Sequence, residues 1–414
     1  MAFQHREGVL FAEAIDCRDL AARYGTPLYV YSRSAIEDAF DAYAKALSGC
    51  DHLVCFAVKA NSNLAVLDLL ARRGAGFDIV SVGELERVLA AGGDPQKVVF
   101  SGVVKQEHEL RRALEVGIRC FNIESPAELD LLASVAEDLG RAAPVSIRVN
   151  PDVDAKTHPY ISTGLRENKF GVAPPVALEL LRRAAASDCL EVVGLDCHIG
   201  SQLTDAAPLL EALQELLGLI DTLAAEGIAI HHLDLGGGIG VRYRDESPPS
   251  VETYIAAVRE AVRGRGLCLV FEPGRSIVAN AGVLLTRVHY TKTTDAHSFA
   301  LVDAAMNDFV RPALYEAWVE ISTAAPCTAA PRSWDVVGPV CETADFLGRE
   351  RELSLEDGTL LAVHGAGAYG FVMSSNYNTR PRAAELIVDG EAVHLVRERE
   401  TLDDLLRGEH RLPR

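Results

Sequence analysis

Polar side chains follow several short apolar runs of this sequence, at positions where they could form a catalytic site. Lys59 ends the run FAVK and is either a Schiff-base amine or a lysine whose stem packs on a strand end. His198, in DCHIGSQ, is either a flat ring placed against a cofactor or an ordinary core histidine. Glu272, in FEPGRS, is either a carboxylate that keeps a heteroaromatic nitrogen protonated or the structural partner of Arg275.

The segment LDLGGGIG at residues 233–240 resembles a phosphate-binding turn, because glycines let backbone N–H groups approach a phosphate. A dinucleotide fingerprint beginning at Gly236 would need a glycine at position 241, where the chain has Val241. The dinucleotide interpretation therefore fails. A nest for one phosphate and a plain tight turn both remain open.

These features count for more together than singly. An amine, a phosphate nest, a flat ring and a carboxylate at four strand ends suit pyridoxal 5′-phosphate (PLP), which serves as an electron sink. Cys341, in GPVCE, is a lone cysteine that reads as inert by itself. The pair His231 and His232 has no carboxylate or cysteine at metal-ligand spacing, so no metal site is predicted.

The elements that position these residues alternate between β-branched runs and amphipathic helical patterns. Eight strand–helix units in series predict a (β/α)8 TIM-like barrel, although a doubly wound open sheet alternates in the same way. The count of eight favours the barrel. The predicted strands are residues 53–59, 77–81, 98–101, 119–123, 145–149, 192–198, 230–235 and 267–271.

After residue 280 the pattern changes to alternating runs separated by turns, which predicts an antiparallel β-domain. The early run LYVYS at residues 28–32 is expected to join that sheet. The resulting division has an N-terminal segment at 1–35, a barrel at 36–280 and a C-terminal β-barrel or sandwich at 281–414. The long segment at residues 151–171 is expected to be a functional loop at the barrel's strand ends.

The composition excludes several classes of protein. The 414 residues include 40 Lys and Arg against 59 Asp and Glu, giving a net charge of −19 that argues against nucleic acid or an anionic membrane as the main partner. The nine cysteines form no C-x-x-C pair, and the start of the chain has no apolar signal core. With no long apolar run, we expect a cytoplasmic protein with reduced thiols.

The ordered motifs resemble those of the diaminopimelate decarboxylase family, which belongs with the ornithine and arginine decarboxylases among the alanine-racemase-like, fold-type III PLP enzymes. The resemblance covers nearly the whole chain. The segments that carry it are FAVKANSN (56–63), GFDIVSVGELERVLAAG (76–92), RVNPDVDAKTHPYISTG (148–164), NKFG (168–171), CHIGSQ (197–202), LDLGGGIGVRY (233–243), FEPGRSIVANAG (271–282), DAAMNDFVRPALY (303–315), GPVCET (338–343) and GAYGFVMSSNYN (367–378).

The resemblance implies a PLP site in which Lys59 carries the cofactor and His198 stacks on its ring. It also implies that Glu272 pairs with the ring nitrogen, while Ser201 and the glycines approach the phosphate. The implied cofactor-binding residues are Lys59, Asp78, His198, Ser201, Gly236, Gly237, Gly238, Glu272, Pro273, Gly274, Arg275 and Tyr369.

The implied reaction converts meso-2,6-diaminopimelate to L-lysine and CO2, the final step of lysine biosynthesis. Lys59, His198 and Cys341 are the implied catalytic residues, and Cys341 returns the proton after CO2 leaves. The implied substrate-binding residues are Arg275, Arg311 and Tyr315 for a carboxylate, Glu342 for the distal ammonium group, and Tyr369. The resemblance further implies a homodimer in which GPVCE reaches the partner's active site.

A decarboxylase of ornithine, lysine or arginine is the alternative, since those relatives share the lysine, EPGR and a GP-x-C segment. RPALY favours diaminopimelate, because its arginine and tyrosine suit a substrate with a second carboxylate. The chain departs from many relatives at Val82 and Val104, where glycine is common. Both positions follow predicted strand ends.

Overall fold

The computed structural model describes residues 2–154, 163–165, 167–295 and 297–414. The chain forms two compact units. The barrel unit consists of Glu37–Arg242 and Glu246–Ile277. The β unit consists of the residues up to Ile36, Tyr243–Asp245 and Val278–Arg414.

Strands and helices run along the whole of the described chain. The strands are β1 Phe3–Arg6, β2 Val9–Ala12, β3 Ile15–Asp16, β4 Leu28–Ser32, β5 His52–Ala57, β6 Gly76–Ile79, β7 Val98–Phe100, β8 Cys120–Ile123, β9 Ala143–Arg148, β10 Leu190–Asp196, β11 His232–Asp234, β12 Cys268–Phe271, β13 Gly282–Thr293, β14 Ser298–Val302, β15 Ile321–Thr323, β16 Arg332–Val337, β17 Phe346–Leu353, β18 Leu360–His364, β19 Ala384–Asp389 and β20 Ala392–Arg397. The α-helices are α1 Cys17–Tyr24, α2 Arg33–Ala46, α3 Leu64–Arg72, α4 Val82–Ala90, α5 Glu107–Val116, α6 Pro126–Leu139, α7 Pro174–Ala185, α8 Ala207–Ala225, α9 Val251–Ala261, α10 Arg275–Val278, α11 Arg311–Tyr315 and α12 Leu402–Leu406.

Strands β5 to β12 form a closed barrel of parallel strands, which confirms the predicted fold class. Closure is made by β12 and β5, where Leu269 pairs with His52. That pairing rules out the open, doubly wound sheet. All eight predicted strands are present, and their predicted ends lie at most two residues from those in the structure.

Alternation along the barrel strands produces two interior layers. The first is an apolar cluster that includes Cys268 and Val270 of β12. Two residues beyond Val270, Glu272 is buried with other carboxylates near the carboxyl ends of the strands. Because side chains on one face of a strand recur every second residue, the same strands supply an apolar floor and a polar layer above it.

Local sequence signals explain where the barrel helices begin and end. Ser125 accepts a hydrogen bond from Glu128 N (3.2 Å) at the start of α6. Gly140 ends that helix in the left-handed conformation, with φ of 61°. Among the described residues, no helix has the length and apolar character needed to cross a membrane.

The β unit contains a three-stranded sheet, β1 to β3, and a larger sheet in the order β17-β16-β14-β13-β4-β19-β20. Strand β18 pairs with β13 and with β15. The predicted return of residues 28–32 to this sheet is confirmed, since β4 lies between β13 and β19. The β4–β19 and β14–β16 pairs are parallel, so the mainly antiparallel sheet is mixed.

The loop predicted at residues 151–171 lies partly outside the described residues, because 155–162 and 166 are not described. Its described ends are held by backbone and side-chain contacts. Asn150 Nδ2 donates to the carbonyl oxygens of Leu165 (2.9 Å) and Phe170 (3.1 Å). Gly171 N donates to Glu124 Oε2 (3.0 Å), which ties the end of the loop to the end of β8.

Candidate active site

The predicted site residues of the barrel unit lie at or just beyond the carboxyl ends of its strands. Lys59 lies in a 3-10 turn, Val58–Ala60, directly after β5, and Asp78 is in β6. The others follow β10, β11 and β12, namely His198, Ser201, Gly236, Gly237, Gly238, Glu272, Pro273, Gly274 and Arg275. Catalytic residues of (β/α)8 enzymes lie at this face of the barrel.

Lys59 is held by a buried carboxylate. Its Nζ forms an ion pair with Asp78 Oδ2, and the side chains of Lys59 and Asp78 are 36% and 0% exposed. Asp78 Oδ1 is buried and has no hydrogen-bond partner within the described ranges. Nearby, burial raises the pKa of Glu84 to about 7, while Lys59 lowers it. The amine therefore lies at a polar strand end, in contact with a group that water does not reach.

Three buried carboxyl groups form the polar layer inside the barrel. One oxygen from each of Asp196, Asp234 and Glu272 lies within 4.8 Å of the other two. Burial, followed by repulsion from Asp234, raises the pKa of Asp196 and of Glu272 well above the usual range. Burial likewise raises the pKa of Asp234 to about 6. The layer therefore retains protons near neutral pH.

Polar neighbours surround this carboxyl layer. Ser101 Oγ donates to Glu272 Oε1 (3.4 Å). The Arg148 guanidinium lies 3.8 Å from Asp196 Oδ2 and 3.1 Å from Glu124 Oε1. Arg148 therefore lies between two buried acids, Asp196 and Glu124. The charge of Glu272 must be balanced by a proton or by a bound cationic group.

His198 is a neutral ring whose orientation is fixed by the backbone. Gly237 N donates to His198 Nδ1 (3.1 Å), so the neutral ring carries its proton on Nε2. Burial, with Arg148 and Lys59 nearby, lowers the pKa of His198 well below its usual value. The ring is therefore a flat, uncharged surface at the end of β10.

The glycine turn after β11 packs too closely for any side chain. A Cβ on Gly236 would lie 2.6 Å from His198 Nδ1, and one on Gly237 would collide with the carbonyl oxygen of Glu272. A Cβ on Gly238 would lie 2.7 Å from Gly200 O. Gly236 and Gly238 also have φ of 61° and 107°, which side chains disfavour. The turn is thus built from backbone alone, as a phosphate cradle requires.

The EPGR turn connects the glycine turn to the lysine. Arg275 Nε and one Nη donate to Ser201 Oγ at 3.3 and 3.1 Å. Ala57 N, at the end of β5, donates to Pro273 O (3.1 Å). A Cβ on Gly274 would lie 2.9 Å from the Cβ of Ala60. Arg275 and Ser201 therefore form one polar group beside a turn that packs against the Lys59 segment.

The β unit brings three motif segments together through hydrogen bonds. Asp345 accepts from Met306 N (2.6 Å) and from Val340 N (2.7 Å), joining residues 303–315 to 338–345. Ser375 N donates to Asn307 O (2.8 Å), joining residues 303–315 to 367–378. Each segment carries at least one predicted site residue.

Those predicted residues occupy different surroundings within the β unit. Arg311 is buried at the start of α11, and Tyr315 is half-buried at its end. Cys341 and Glu342 are exposed, with Cys341 N bonded to Asn378 Oδ1 (2.9 Å) and Glu342 Oε1 accepting from Tyr377 Oη. Tyr369 has a positive φ of 53° between Ala368 and a glycine.

Sequence reasoning missed several residues that shape the site. Asp196 and Asp234 are the last residues of β10 and β11, and an acid ending an apolar strand was the available signal. Asp345 and Tyr243 gave no such signal, because their importance comes from contacts with distant segments. Tyr243 packs on Arg311 and Asp345 holds the GPVCE segment.

The two departures from the family pattern have ordinary backbones. Val82 begins α4, and its N–H donates to Glu109 Oε1 (2.9 Å). Val104 is 74% exposed in the turn after β7. Neither residue has a positive φ, so a valine causes no backbone strain at either position.

The residues at the barrel's strand ends fit PLP. The Lys59 amine, paired with a buried acid, suits the aldehyde of PLP. The glycine turn, which excludes side chains, suits the phosphate, and the buried carboxyl of Glu272 suits the pyridine nitrogen. Asp78 Oδ1, a buried acceptor without a hydrogen bond in the described chain, offers a further polar contact.

Known proteins resemble this chain at two levels. Residues 33–279 match the family model described as "Pyridoxal-dependent decarboxylase, pyridoxal binding domain". The fold, the site and this match define a PLP-dependent decarboxylase of the TIM-barrel type.

The second level is more specific. The chain is 66% identical over 411 residues to the diaminopimelate decarboxylase of Pseudomonas aeruginosa, covering 99% of each. It is 45% identical to the crystal structure of diaminopimelate decarboxylase from Helicobacter pylori complexed with L-lysine, covering 94% of this chain and 98% of that one with a TM-score of 0.92. It is 38% identical to the M. jannaschii enzyme in co-complex with L-lysine, covering 100% and 98% with a TM-score of 0.94. The chain belongs to the diaminopimelate decarboxylase family.

Proposed function

We propose that this enzyme decarboxylates meso-2,6-diaminopimelate to L-lysine and CO2, the last step of lysine biosynthesis. Full-length likeness to the diaminopimelate decarboxylases carries the proposal. The arrangement of Lys59, Asp78, His198 and Glu272 around the strand ends agrees with it.

PLP, when bound, supplies an electron sink that lets a carboxylate leave an amino-acid carbon as CO2. Lys59 would hold its aldehyde carbon, with Asp78 orienting the amine. Gly236 to Gly238 and Ser201 would hold the phosphate. Glu272 would accept a hydrogen bond from the protonated ring nitrogen, a cationic partner that suits a carboxyl buried among other acids.

His198 would supply a flat, neutral face for the ring. Because its Nδ1 accepts from Gly237 N, the imidazole is fixed in one orientation and one tautomer. A neutral imidazole adds no positive charge on the side from which the ring would be contacted.

The substrate's far end would be recognised by residues of α11 and the neighbouring motifs. Arg311 and Arg275 offer planar forks that match a carboxylate, and Tyr315 adds a hydroxyl donor. Glu342 would bind the distal ammonium group, and Tyr369 would contact cofactor or substrate. A substrate with one carboxylate fewer would leave Arg311 buried without that partner.

Cys341 would donate the proton that replaces CO2, and we propose that Cys341 and Glu342 act in the active site of a partner subunit. Both side chains are exposed in the single chain. Hydrogen bonds to Asn378 and Tyr377 nevertheless hold their segment in place. An ordered, exposed thiol beside an acid is what a shared dimer site would use. We also propose a cytoplasmic location, since all nine cysteines are free.

The first experiment supplies the PLP-loaded protein separately with meso-diaminopimelate, lysine, ornithine and arginine. CO2 release is measured, and the amine product is identified by chromatography. We expect L-lysine from diaminopimelate alone. The Lys59→Ala variant, handled identically, is the control and is expected to release none.

Two other results would contradict this proposal. CO2 from ornithine, lysine or arginine alone would establish the alternative decarboxylase and remove the roles given to Arg311 and Glu342. No product from any substrate, with PLP bound, would reject all four activities.

A further inference from the structure

We propose that Tyr243 is a positioning residue for substrate recognition, holding the Arg311 guanidinium in the orientation that binds the substrate's second carboxylate. The inference rests on the proposed function, which gives Arg311 that carboxylate. Tyr243 itself need not touch the substrate. Its role is to fix the plane in which the arginine fork lies.

The Tyr243 ring lies against the guanidinium group. Arg311 Cζ is 4.7 Å from the centroid of the Tyr243 ring and 6.0 Å from that of Phe309. Phe309 is fully buried, and Arg311 is 7% exposed. A cation near aromatic faces in a water-poor setting is attracted to them, and a planar guanidinium stacks on them. The rings of Tyr243 and Phe309 therefore restrict the orientation of the Arg311 guanidinium, which is nearly inaccessible to water.

The Tyr243 ring packs against Gly365, where the backbone has no side chain. Gly365 has φ of 67°, and a Cβ there would lie 2.8 Å from Tyr243 Cε1 and 3.0 Å from Cδ1. Any other residue at position 365 would push the ring from its place. The close approach shows that the ring position is defined by packing on Gly365 as well as by Arg311.

The segment bearing Tyr243 is fastened by its next residue too. Tyr243–Asp245 groups with the β unit, although the residues on either side of it belong to the barrel unit. Arg244 Cζ lies 5.4 Å from the ring of Trp318, which also receives Arg351 at 4.6 Å. The side chains of Tyr243 and Arg244 thus fix this short segment at two points, which holds the Tyr243 ring in place.

A fixed guanidinium plane matters because carboxylate recognition by arginine is directional. Two parallel N–H groups must meet two oxygens in one plane. Without the ring, Arg311 would keep its charge but lose part of its orientation. Substrate binding would then weaken, while the reacting carbon, which other residues position, would react at nearly its normal rate.

The test compares Tyr243→Leu and Tyr243→Phe by steady-state kinetics of the PLP-loaded enzyme with meso-diaminopimelate. Tyr243→Leu is expected to raise KM about tenfold, with kcat within about threefold of wild type. Tyr243→Phe keeps the ring and is expected to stay within about threefold in both constants. Tyr290→Ala, at an exposed tyrosine of β13, is the matched control and should match wild type.

An unchanged KM in Tyr243→Leu would overturn the inference. Equal impairment of the phenylalanine and leucine variants would also overturn it, because the hydroxyl rather than the ring would then be required.

A crystal structure of Tyr243→Leu provides a second readout, in which the Arg311 guanidinium should be rotated or disordered. If wild-type enzyme fails to decarboxylate diaminopimelate, the proposed function fails. In that case an Arg311 unmoved in the variant crystal rejects the positioning role, and a displaced Arg311 supports it.

Discussion

The acids inside the barrel have protonation states set by their depth and by one another. Asp196, Asp234 and Glu272 are close enough that ionising all three would place three negative charges in a region closed to water. Retained protons avoid that cost. A cationic ring nitrogen beside Glu272 would allow this acid to ionise, so cofactor binding and proton release are linked at this layer.

The pH dependence of stability reports these protons. The pKa of Asp234 is raised to about 6 by burial, whereas an unfolded aspartate titrates near pH 4. Between these values the folded state binds more protons, so the stability from this group is complete below about pH 4 and is lost as pH rises through 6.

We therefore expect Asp234→Asn, which does not titrate, to gain stability over wild type by about 2 kcal/mol between pH 4.5 and 7.5. Urea unfolding of the PLP-free proteins at the two pH values measures it. A difference between variant and wild type that is the same at both would contradict the raised pKa.

A second expectation at this scale concerns Arg311. Arg311→Ala should raise KM for diaminopimelate by the equivalent of about 2–5 kcal/mol, because a buried charged contact with the substrate would be lost. The PLP absorption spectrum should stay intact, because the residues proposed to hold the cofactor are unchanged. The control is Arg182→Ala, because Arg182 lies on α7 and forms an exposed ion pair with Glu226. Steady-state kinetics that are identical in the Arg311 variant and wild type would remove Arg311 from the substrate site.

At the scale of elements, the turn after β11 links the ends of three strands. Gly237 and Gly238 pack against Glu272 and Gly200, and Gly236 packs against His198. Because the glycines have no side chains, these strand ends lie closer together than any other residue would allow. The N–H groups that we propose for the phosphate and the His198 ring are thereby positioned by one turn.

Gly238→Ala tests this rigidity. Its Cβ would lie 2.7 Å from Gly200 O at a φ of 107°, so we expect a loss of about 1–3 kcal/mol in stability and weaker PLP retention. Gly218→Ala is the matched control, because nothing lies within 4 Å of a Cβ at this position in α8. The control should be more stable by about 0.5–1 kcal/mol. Thermal unfolding and dialysis against PLP-free buffer measure both, and an unaffected Gly238 variant would show that the turn adjusts freely.

Element types and order were accessible from the sequence, because strand and helix periodicities are local properties. Lys59, His198 and Glu272 could be picked out as polar residues that end apolar runs. Tyr243 and Asp345 could not, since their partners Arg311 and Met306 lie far away in sequence and follow no repeating pattern. The protonation of Asp234 also depends on neighbours from other strands, which spacing does not reveal.

At the scale of the whole molecule, the units are interleaved along the chain. Residues up to Ile36, Tyr243–Asp245 and Val278–Arg414 build the β unit, whereas the predicted boundaries after residues 35 and 280 follow the chain linearly. Those boundaries stay a prediction. Periodicity shows where strand and helix patterns change along the chain. A three-residue segment that groups with a unit distant in sequence, as Tyr243–Asp245 does, leaves no periodic signal.

The proposed dimer can be tested by subunit mixing. Lys59→Ala and Cys341→Ala should each be inactive, and equal mixtures of the two unfolded and refolded together should regain about a quarter of wild-type activity. In a mixed dimer with shared sites, one site would combine an intact Lys59 with an intact Cys341 of the other subunit. Mixing two samples of the same variant is the control. No recovery, with mixed dimers demonstrated by a tag on one chain, would place both residues in the same subunit's site.

The position of β4 constrains how this protein is made. Its five buried residues pair with β13 and β19, which are synthesised about 250 and 350 residues later. At the usual pace of translation, an apolar strand waits about 20 to 70 s before its second neighbour emerges. During that time its unpaired edges are open to strands of neighbouring nascent chains. Synthesis of this enzyme therefore depends on shielding β4 until β19, near the end of the chain, appears.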